Sequence, residues 1–476
     1  MDRRKFLRSA AAAAAPAFSQ RSQPPNIVLI LADDLGWGDL SCYGNPYIHT
    51  PRIDRMAAEG VRFTDFYAQP LCGPSRAAIL TGCYPVRNSL MFNHIPRART
   101  GIHPGEITVA EHLKNRGYAT AIAGKWHLGD APPFRPLRHG FDTWLGLPYS
   151  NDMWPFHPKT VRAAGENPRL TAARTRAELT GYDGQGQTYP ADWFPDLPLM
   201  SDDQVLELNP DQRTLTTRYT DKAVGFIRSN RARPFFLYLA HAMPHAPLFA
   251  DPNQAGQSPR GLYGDVVRDL DRSTGRILDT LRELGLDRRT LVIFTSDNGP
   301  WLPYGIDAGS AGPFRAGKGT HFEGGIRVPM IARWPDRIPP GRVTSEFAST
   351  IDFFATFGAL AGVPPPTDRV IDSLDVSPLL FDPAARSPRD SFFIYEGAIA
   401  YRPETGRPRN SRILKAIRSG PWKLHVETMA LYHLHSDPGE SKDVAGRNRD
   451  VVDRLLAMGR RFDDEIARNT RPLGEL

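Results

Sequence analysis

The 476 residues, 41% hydrophobic and 23% charged, leave room for two or three domains and exclude both a small disulfide-stapled scaffold and wholesale disorder. The formal net charge of +7 falls to +4 when the leader (Arg3, Arg4, Lys5 and Arg8 against Asp2) is removed, and no Lys/Arg cluster interleaved with aromatics follows it. Nucleic acid is therefore not an expected partner. Three cysteines, Cys42, Cys72 and Cys83, are too few and odd in number for a disulfide framework, so one of them calls for another explanation.

In chain order, residues 1–20 come first: a basic start, an Ala-rich stretch, and Ala15-Pro16-Ala17 as a small-x-small cleavage site. Arg3-Arg4-Lys5-Phe6-Leu7-Arg8 resembles a twin-arginine export signal, with Asp2 where Ser or Thr is usual. That resemblance implies the twin-arginine export machinery as a partner and a periplasmic or secreted, bacterial protein. The apolar stretch is far below the ~20 residues needed to cross a bilayer, and no later segment qualifies, so no stable membrane span is expected.

Four apolar runs follow, Ile27–Ala32, Tyr118–Ala123, Phe235–Ala240 and Leu291–Phe294, each running straight into charged or imidazole side chains. Continuous hydrophobicity predicts strands covered on both faces, hence a mainly parallel sheet flanked by helices. Helical spacing predicts helices over 52–59, 109–116, 214–228 and 263–284 between them. Residues 151–213 lack a sustained period and read as a loop insertion near the site. After Gly362 the texture changes to Pro364-Pro365-Pro366, short strand-like pieces such as Trp422–Val426, and an amphipathic helix through Val451, Leu455 and Phe462. The expected organisation is a catalytic domain over 24–362 and a smaller α+β domain with an antiparallel sheet over 363–476.

In such a sheet the ligand site lies beyond the C-terminal strand ends, so side chains from Asp33 to Asn298 should meet in one crevice. Asp33, Asp34, Asp297 and the amide of Asn298 offer oxygen ligands only, which suits Ca²⁺, or less well Mg²⁺, better than Zn²⁺. Taken alone, each pair reads first as a turn.

The surroundings of Cys72 change that balance. Leu71-Cys72-Gly73-Pro74-Ser75-Arg76 with Ala77-Ala78-Ile79-Leu80-Thr81-Gly82 resembles the signature of the sulfatase family, where Cys-x-Pro-Ser-Arg marks a cysteine oxidised after translation to Cα-formylglycine. The resemblance continues in order through Asp33-Asp34-Leu35-Gly36, Gly124-Lys125-Trp126-His127, Pro244-His245-Ala246-Pro247, Ser296-Asp297-Asn298-Gly299 and Gly317-Lys318-Gly319, with Asp437-Pro438-Gly439-Glu440 in the C-terminal part. His139-Gly140-Phe141-Asp142 and Gly146-Leu147-Pro148-Tyr149-Ser150 are similar to the arylsulfatase A and N-acetylgalactosamine-6-sulfatase group.

The resemblance implies an alkaline-phosphatase-like fold, hydrolysis of sulfate esters of small molecules or glycans, and a formylglycine-generating or other sulfatase-maturing enzyme as partner. It assigns the metal to Asp33, Asp34, Asp297 and Asn298 beside residue 72, and aldehyde support to Arg76. Sulfate contacts go to Lys125 and Lys318, base work on the hydrated aldehyde to His127, leaving-group or sulfate contacts to His245, and an additional hydrogen bond to Ser150. A hydrated aldehyde has the two hydroxyls this chemistry needs: one attacks sulfur and the other expels sulfate as the aldehyde reforms. Cys83 stands where the family commonly has Arg, and its thiol is a candidate to pair with Cys42 after export. Two rival readings are a phosphoester or phosphonate hydrolase of the same superfamily and an inactive glycan-binding homologue with unmodified Cys72.

Overall fold

The computed structural model describes residues 24–155, 195–395 and 412–476; the expected leader lies outside the described residues. The four apolar runs become strands β1 (Asn26–Ala32), β3 (Ala119–Gly124), β7 (Phe235–Ala240) and β8 (Thr290–Ser296). With β2 (Val61–Phe63), β4 (Thr143–Gly146), β5 (Pro198–Ser201), β6 (Gln204–Leu208), β9 (Met330–Arg333) and β10 (Arg342–Thr344), they make a ten-stranded sheet in the order β10-β2-β9-β8-β1-β7-β3-β4-β5-β6. The five central strands, β8 to β4, are parallel. Antiparallel pairings begin at β9 on one side and β5 on the other.

Every residue of β1 is buried, as a strand covered on both faces requires. Alternation then divides the core: Val28 and Ile30 join one hydrophobic cluster, and Ile27, Leu29 and Leu31 join the other. On the first face pack helices α1 (Pro51–Ala58), α4 (Leu215–Ser229) and α5 (Gly261–Glu283), through Ile53, Tyr219 and Leu270 among others. On the second pack α2 (Cys72–Thr81), α3 (Val109–Lys114) and α6 (Phe353–Ala361), through Ile79, Leu113 and Phe354. The predicted α/β architecture is thus the observed one, and its helices begin and end within a few residues of their expected bounds. The start of α3 is fixed by a capping box in which Thr108 and Glu111 each accept from the other's backbone N–H.

The segment read as a loop insertion over 151–213 contains the β5–β6 hairpin, which extends the sheet beyond β4. Val205, Leu206 and Leu208 of β6 are more than half exposed, so the alternation that marks a half-buried strand is missing. Residues 156–194 lie outside the described residues.

A second, antiparallel sheet is formed by β11 (Ser391–Tyr395), β12 (Leu414–Ser419), β13 (Trp422–His425) and β14 (Ala430–His433), with α7 (Arg449–Asn469) packed on it through Val452, Leu455 and Ile466. The chain does not pass to it directly after Gly362. Val363, Val376, Leu379 and Leu380 still share the core of the large sheet, and the new sheet begins only at Ser391. Its own core includes Tyr67, Ala78 and Tyr84 from the first part of the chain. Among the described residues no helix is long and apolar enough to cross a membrane.

Cys42 and Cys83 do not pair: all three cysteines are free. Cys83 is buried, and its sulfur accepts from Arg471 Nη2 at 3.2 Å. Cys42 lies beside Asp54, whose Oδ1 accepts its backbone N–H at 3.0 Å.

Candidate functional site

The C-terminal ends of the parallel strands converge as expected of this topology. Ala32 of β1 is followed by Asp33 and Asp34, Gly124 of β3 by Lys125 and His127, and Ser296 of β8 by Asp297 and Asn298. β4 leads to Ser150 and β7 to His245. Gly124 makes the turn out of β3 at φ 121°, where a Cβ would sit 1.7 Å from the Ala240 carbonyl oxygen. Lys125 N donates to that same oxygen at 2.8 Å, which pins Lys125 against β7. Asp34 (φ 67°) and His127 (φ 66°) hold left-handed backbone conformations, an unfavourable state for non-glycine residues that persists where surrounding structure enforces it.

Cys72 opens α2, with Pro74 in the first turn, where a missing N–H costs no helical hydrogen bond. Ser75 ties the turn down: its hydroxyl accepts from Gln69 N at 3.0 Å and donates to the Asp297 carbonyl. At the other end Gly82 (φ 65°) closes the helix against Phe354. The whole of α2 is buried, so Cys72 and Arg76, one turn apart, are fixed by packing on the same side of the sheet. Cys72 Sγ lies 3.3 Å from Asp33 Oδ1 and 3.7 Å from Asp34 Oδ1, and marks where the oxygens of a converted residue 72 would reach.

Three carboxylates and three fixed cations share this space. Arg76 bridges Asp33 (Nη2 to Oδ2, 3.2 Å) and Asp297 (Nη2 to Oδ2, 2.9 Å; Nε to Oδ2, 3.2 Å), and its Nη1 donates to the Lys125 carbonyl at 2.6 Å. Lys125 Nζ donates to Asp33 Oδ2 at 2.6 Å and to Ser150 Oγ at 3.1 Å; Lys318 Nζ donates to Asp34 Oδ2 at 2.8 Å. Ser150 Oγ stands 3.3 Å from His245 Nε2, itself 3.6 Å from Asp34 Oδ2. Burial alone would raise the Asp33 carboxyl, yet Lys125 and Arg76 outweigh it and hold Asp33 well below the usual range. At Asp297 burial prevails, reinforced by repulsion from Asp33, and its proton affinity rises. For Lys318 burial lowers and Asp34 raises, with a net rise that keeps the ammonium charged.

His127 is the opposite case. Burial, then Lys125 and Arg76, hold its imidazole well below its usual value, so the ring rests neutral. Both ring nitrogens are buried without a hydrogen-bond partner. His245 is also held down, chiefly by burial, and its Nδ1 pairs with the Ala246 carbonyl at 2.6 Å.

The donor set, carboxylates with a thiol and an imidazole close by, fits a divalent cation. Ligand atoms of Asp33, Asp34, Cys72 and His245 lie within 4.8 Å of one another, and Asp297 joins them through Oδ1, which accepts Asp34 N at 3.1 Å. Asn298 donates from Nδ2 to Asp34 Oδ1 at 2.7 Å, while its Oδ1 is buried with no partner. A half-turn of that amide would bring the orphaned oxygen toward the carboxylates. The three acids and three bases roughly cancel, so a divalent cation would leave a net positive site, suited to a tetrahedral oxyanion.

All eleven side chains expected at the site therefore converge. The imidazole of His245 lies closer to the carboxylates than an oxygen-only ligand set implied. Asp39, which does not directly follow a strand end, is kept apart: it accepts from Gly36 N (2.7 Å), Ser310 N (2.8 Å) and Tyr263 OH (2.6 Å), and burial raises it to about 7. Trp301 also belongs to the site: its ring carries Lys318 Nζ at 4.5 Å and stands 5.2 Å from the His245 ring. Nothing in its local sequence sets it apart from a core aromatic. Ser75 was legible only as part of the Cys-x-Pro-Ser-Arg string.

Comparison with known proteins agrees with this geometry. A family profile described as Sulfatase matches residues 25–363, and one described as N-sulphoglucosamine sulphohydrolase, C-terminal, matches 317–457. Steryl-sulfatase of Mus musculus is 40% identical, over 92% of this chain and 82% of its own length. N-acetylgalactosamine-6-sulfatase of Canis lupus familiaris is 43% identical over 91% and 84%, and arylsulfatase A of Homo sapiens 40% over 89% and 84%. Among solved structures, PsFucS1 sulfatase from Pseudoalteromonas sp. superposes with a TM-score of 0.79 at 26% identity, covering 94% of this chain and 91% of its own.

If the acids hold a metal, Asp297→Ala should weaken divalent-metal binding by ~100-fold or more, beyond the 10–100-fold usual for an outer partner. Asp39→Ala should leave metal content nearly unchanged, as read by elemental analysis after dialysis. Equal losses would mean that different acids face the metal.

Proposed function

The chain belongs to the sulfatase family, and from that premise we propose how its own residues divide the work of sulfate ester hydrolysis. It is a sulfuric ester hydrolase of the kind whose nucleophile is a formylglycine hydrate made from a cysteine, here Cys72. The observation that carries the proposal is the position of Cys72 on the first turn of a buried helix, 3.3 Å from Asp33 and beside Lys125, Lys318 and Arg76.

In this reading Arg76 holds residue 72 in place and, second to Lys125, keeps Asp33 ionised. Lys125 and Lys318 oppose the negative charge on the sulfate oxygens, where preorganised charge is most effective. His245, aided by Ser150, contacts the sulfate or the departing alcohol. His127 takes the proton of the hydroxyl left on residue 72 after sulfate transfer, a role supported by its neutral, unpartnered ring. Asp33, Asp34, Asp297 and Asn298 hold the divalent cation; when bound it supplies Lewis acidity toward sulfate and nucleophile. We assign Ca²⁺ rather than Mg²⁺ because a crowded, carboxylate-rich, buried set suits a cation with flexible coordination and few retained waters. Recovery of chelated protein by Zn²⁺ alone would reject that choice.

The substrates proposed are sulfate esters of sugars or of aromatic alcohols, in keeping with the names of the relatives. The catalytic domain begins at residue 24 and runs past Gly362 through Leu380, which still packs on the large sheet, and the smaller domain begins with β11 at Ser391. Residues 1–20 direct twin-arginine export to the periplasm. A reporter fused to them should lose export when Arg3 and Arg4 are both changed to Lys; unimpaired export by that route would contradict the assignment.

The mechanism itself is tested by Cys72→Ser, produced in a host whose maturing enzyme oxidises only cysteine. Serine has one hydroxyl, so it can take up sulfate but cannot expel it. Turnover should fall to below about a thousandth, and a covalent sulfate should accumulate on the peptide spanning position 72. Full turnover with an unmodified serine would sink the formylglycine mechanism.

A further inference from the structure

The Asp437-Pro438-Gly439-Glu440 motif takes no part in the chemistry above, yet Glu440 is fully buried. Its Oε2 accepts the Glu323 backbone N–H at 2.6 Å, its Oε1 pairs with His425 Nε2 at 2.6 Å and Lys423 Nζ at 3.0 Å, and its carbonyl accepts from Arg315 Nη1 at 3.1 Å. Lys423 and His425 belong to β13 of the second sheet. Arg315 and Glu323 are the two ends of the loop that carries Lys318, and Gly324 N closes its neck on the Arg315 carbonyl at 2.9 Å. Within the loop, Lys318 N donates to Pro300 O and Gly319 N to Pro70 O, each at 2.9 Å. Glu323 is in turn locked by Lys423 (3.0 Å), Tyr67 and Arg327 (3.3 Å). Burial would raise its carboxyl, but Lys423 and Arg327 bring it down to about 2.

We propose that Glu440 is a positioning residue, a clasp in the loop after β14 that is anchored on the second sheet, grips both ends of the Lys318 loop and thereby sets the Lys318 ammonium against Asp34. The proposal rests on the sulfate contact assigned to Lys318. It gives the second sheet a part in sulfate binding although none of its residues reaches the strand ends. A purely structural role would also explain a buried ion cluster, so the test must separate stability from position.

The separation comes from a double-mutant cycle on the converted holoenzyme, with 4-nitrophenyl sulfate as substrate and inorganic sulfate as competing anion. Glu440→Gln should raise both KM and the sulfate inhibition constant by about tenfold with kcat little changed, the scale of losing an outer partner of a site. In a Lys318→Ala background the same change should add less than about twofold, because the group it positions is gone. Where turnover of that background is too slow to follow, calorimetric titration with sulfate reads the same cycle. Leu455→Ala, buried in α7 against the same sheet, should lower thermal stability without moving KM. An undiminished Glu440→Gln effect in the Lys318→Ala background, an equal KM shift in Leu455→Ala, or loss of stability alone would overturn the clasp. Unchanged KM and inhibition constant in Lys318→Ala itself would instead reject the role of that lysine.

Discussion

Three carboxylates buried together around one set of fixed cations are the constraint on which the site depends. Asp33, Asp34 and Asp297 are fully or almost fully buried, and like charges so placed either gain a proton or gain cations. Here the fixed cations come from three distant parts of the chain: Arg76 from a helix, Lys125 from a strand end and Lys318 from a loop. Removing one member of such a buried set typically costs about 3–5 kcal/mol, against a total stability of about 5–15 kcal/mol. The fold and the charge arrangement are therefore interdependent. A divalent cation among the acids would give the site a surplus of positive charge, and an oxyanion such as sulfate would restore the balance.

This dependence explains why each group is supplied by a rigid element. The carboxylates project from the ends of strands buried on both faces, and residue 72 from a helix with no exposed residue. Strained backbone at Asp34 and His127 aims side chains that a relaxed turn would direct elsewhere. Unpartnered nitrogens on His127 and an orphaned oxygen on Asn298 are costly in a folded interior, of order 1–3 kcal/mol each. Both sit where the proposed mechanism calls for a free acceptor.

Much of this was legible in the sequence because it is local. Continuous apolar runs gave the central strands, and helical spacing gave α1, α4, α5 and α7. The polar residues at the strand ends gave the site, since parallel topology carries them to one place whatever their separation along the chain. What escaped was non-local. Nothing around Trp301 marks it as a platform for Lys318, and the β5–β6 hairpin hides because Val205, Leu206 and Leu208 are exposed apolar residues with no alternation. The family resemblance identified the C-terminal Asp-Pro-Gly-Glu string, but its physical role depends on Glu323, 117 positions upstream of Glu440. The expected change of domain after Gly362 follows a real change of texture. Hydrophobic residues just beyond it nonetheless pack on the large sheet, because burial follows the nearest core and not the composition of the segment.

The central claim is that Cys72 becomes the working nucleophile by oxidation, and it is tested most directly by mass spectrometry of the proteolytic peptide spanning residue 72 from active protein. The account predicts that this peptide carries an aldehyde that reacts with hydrazine reagents and lacks the cysteine sulfur, in proportion to specific activity. Active protein in which residue 72 is uniformly an unmodified thiol would contradict it.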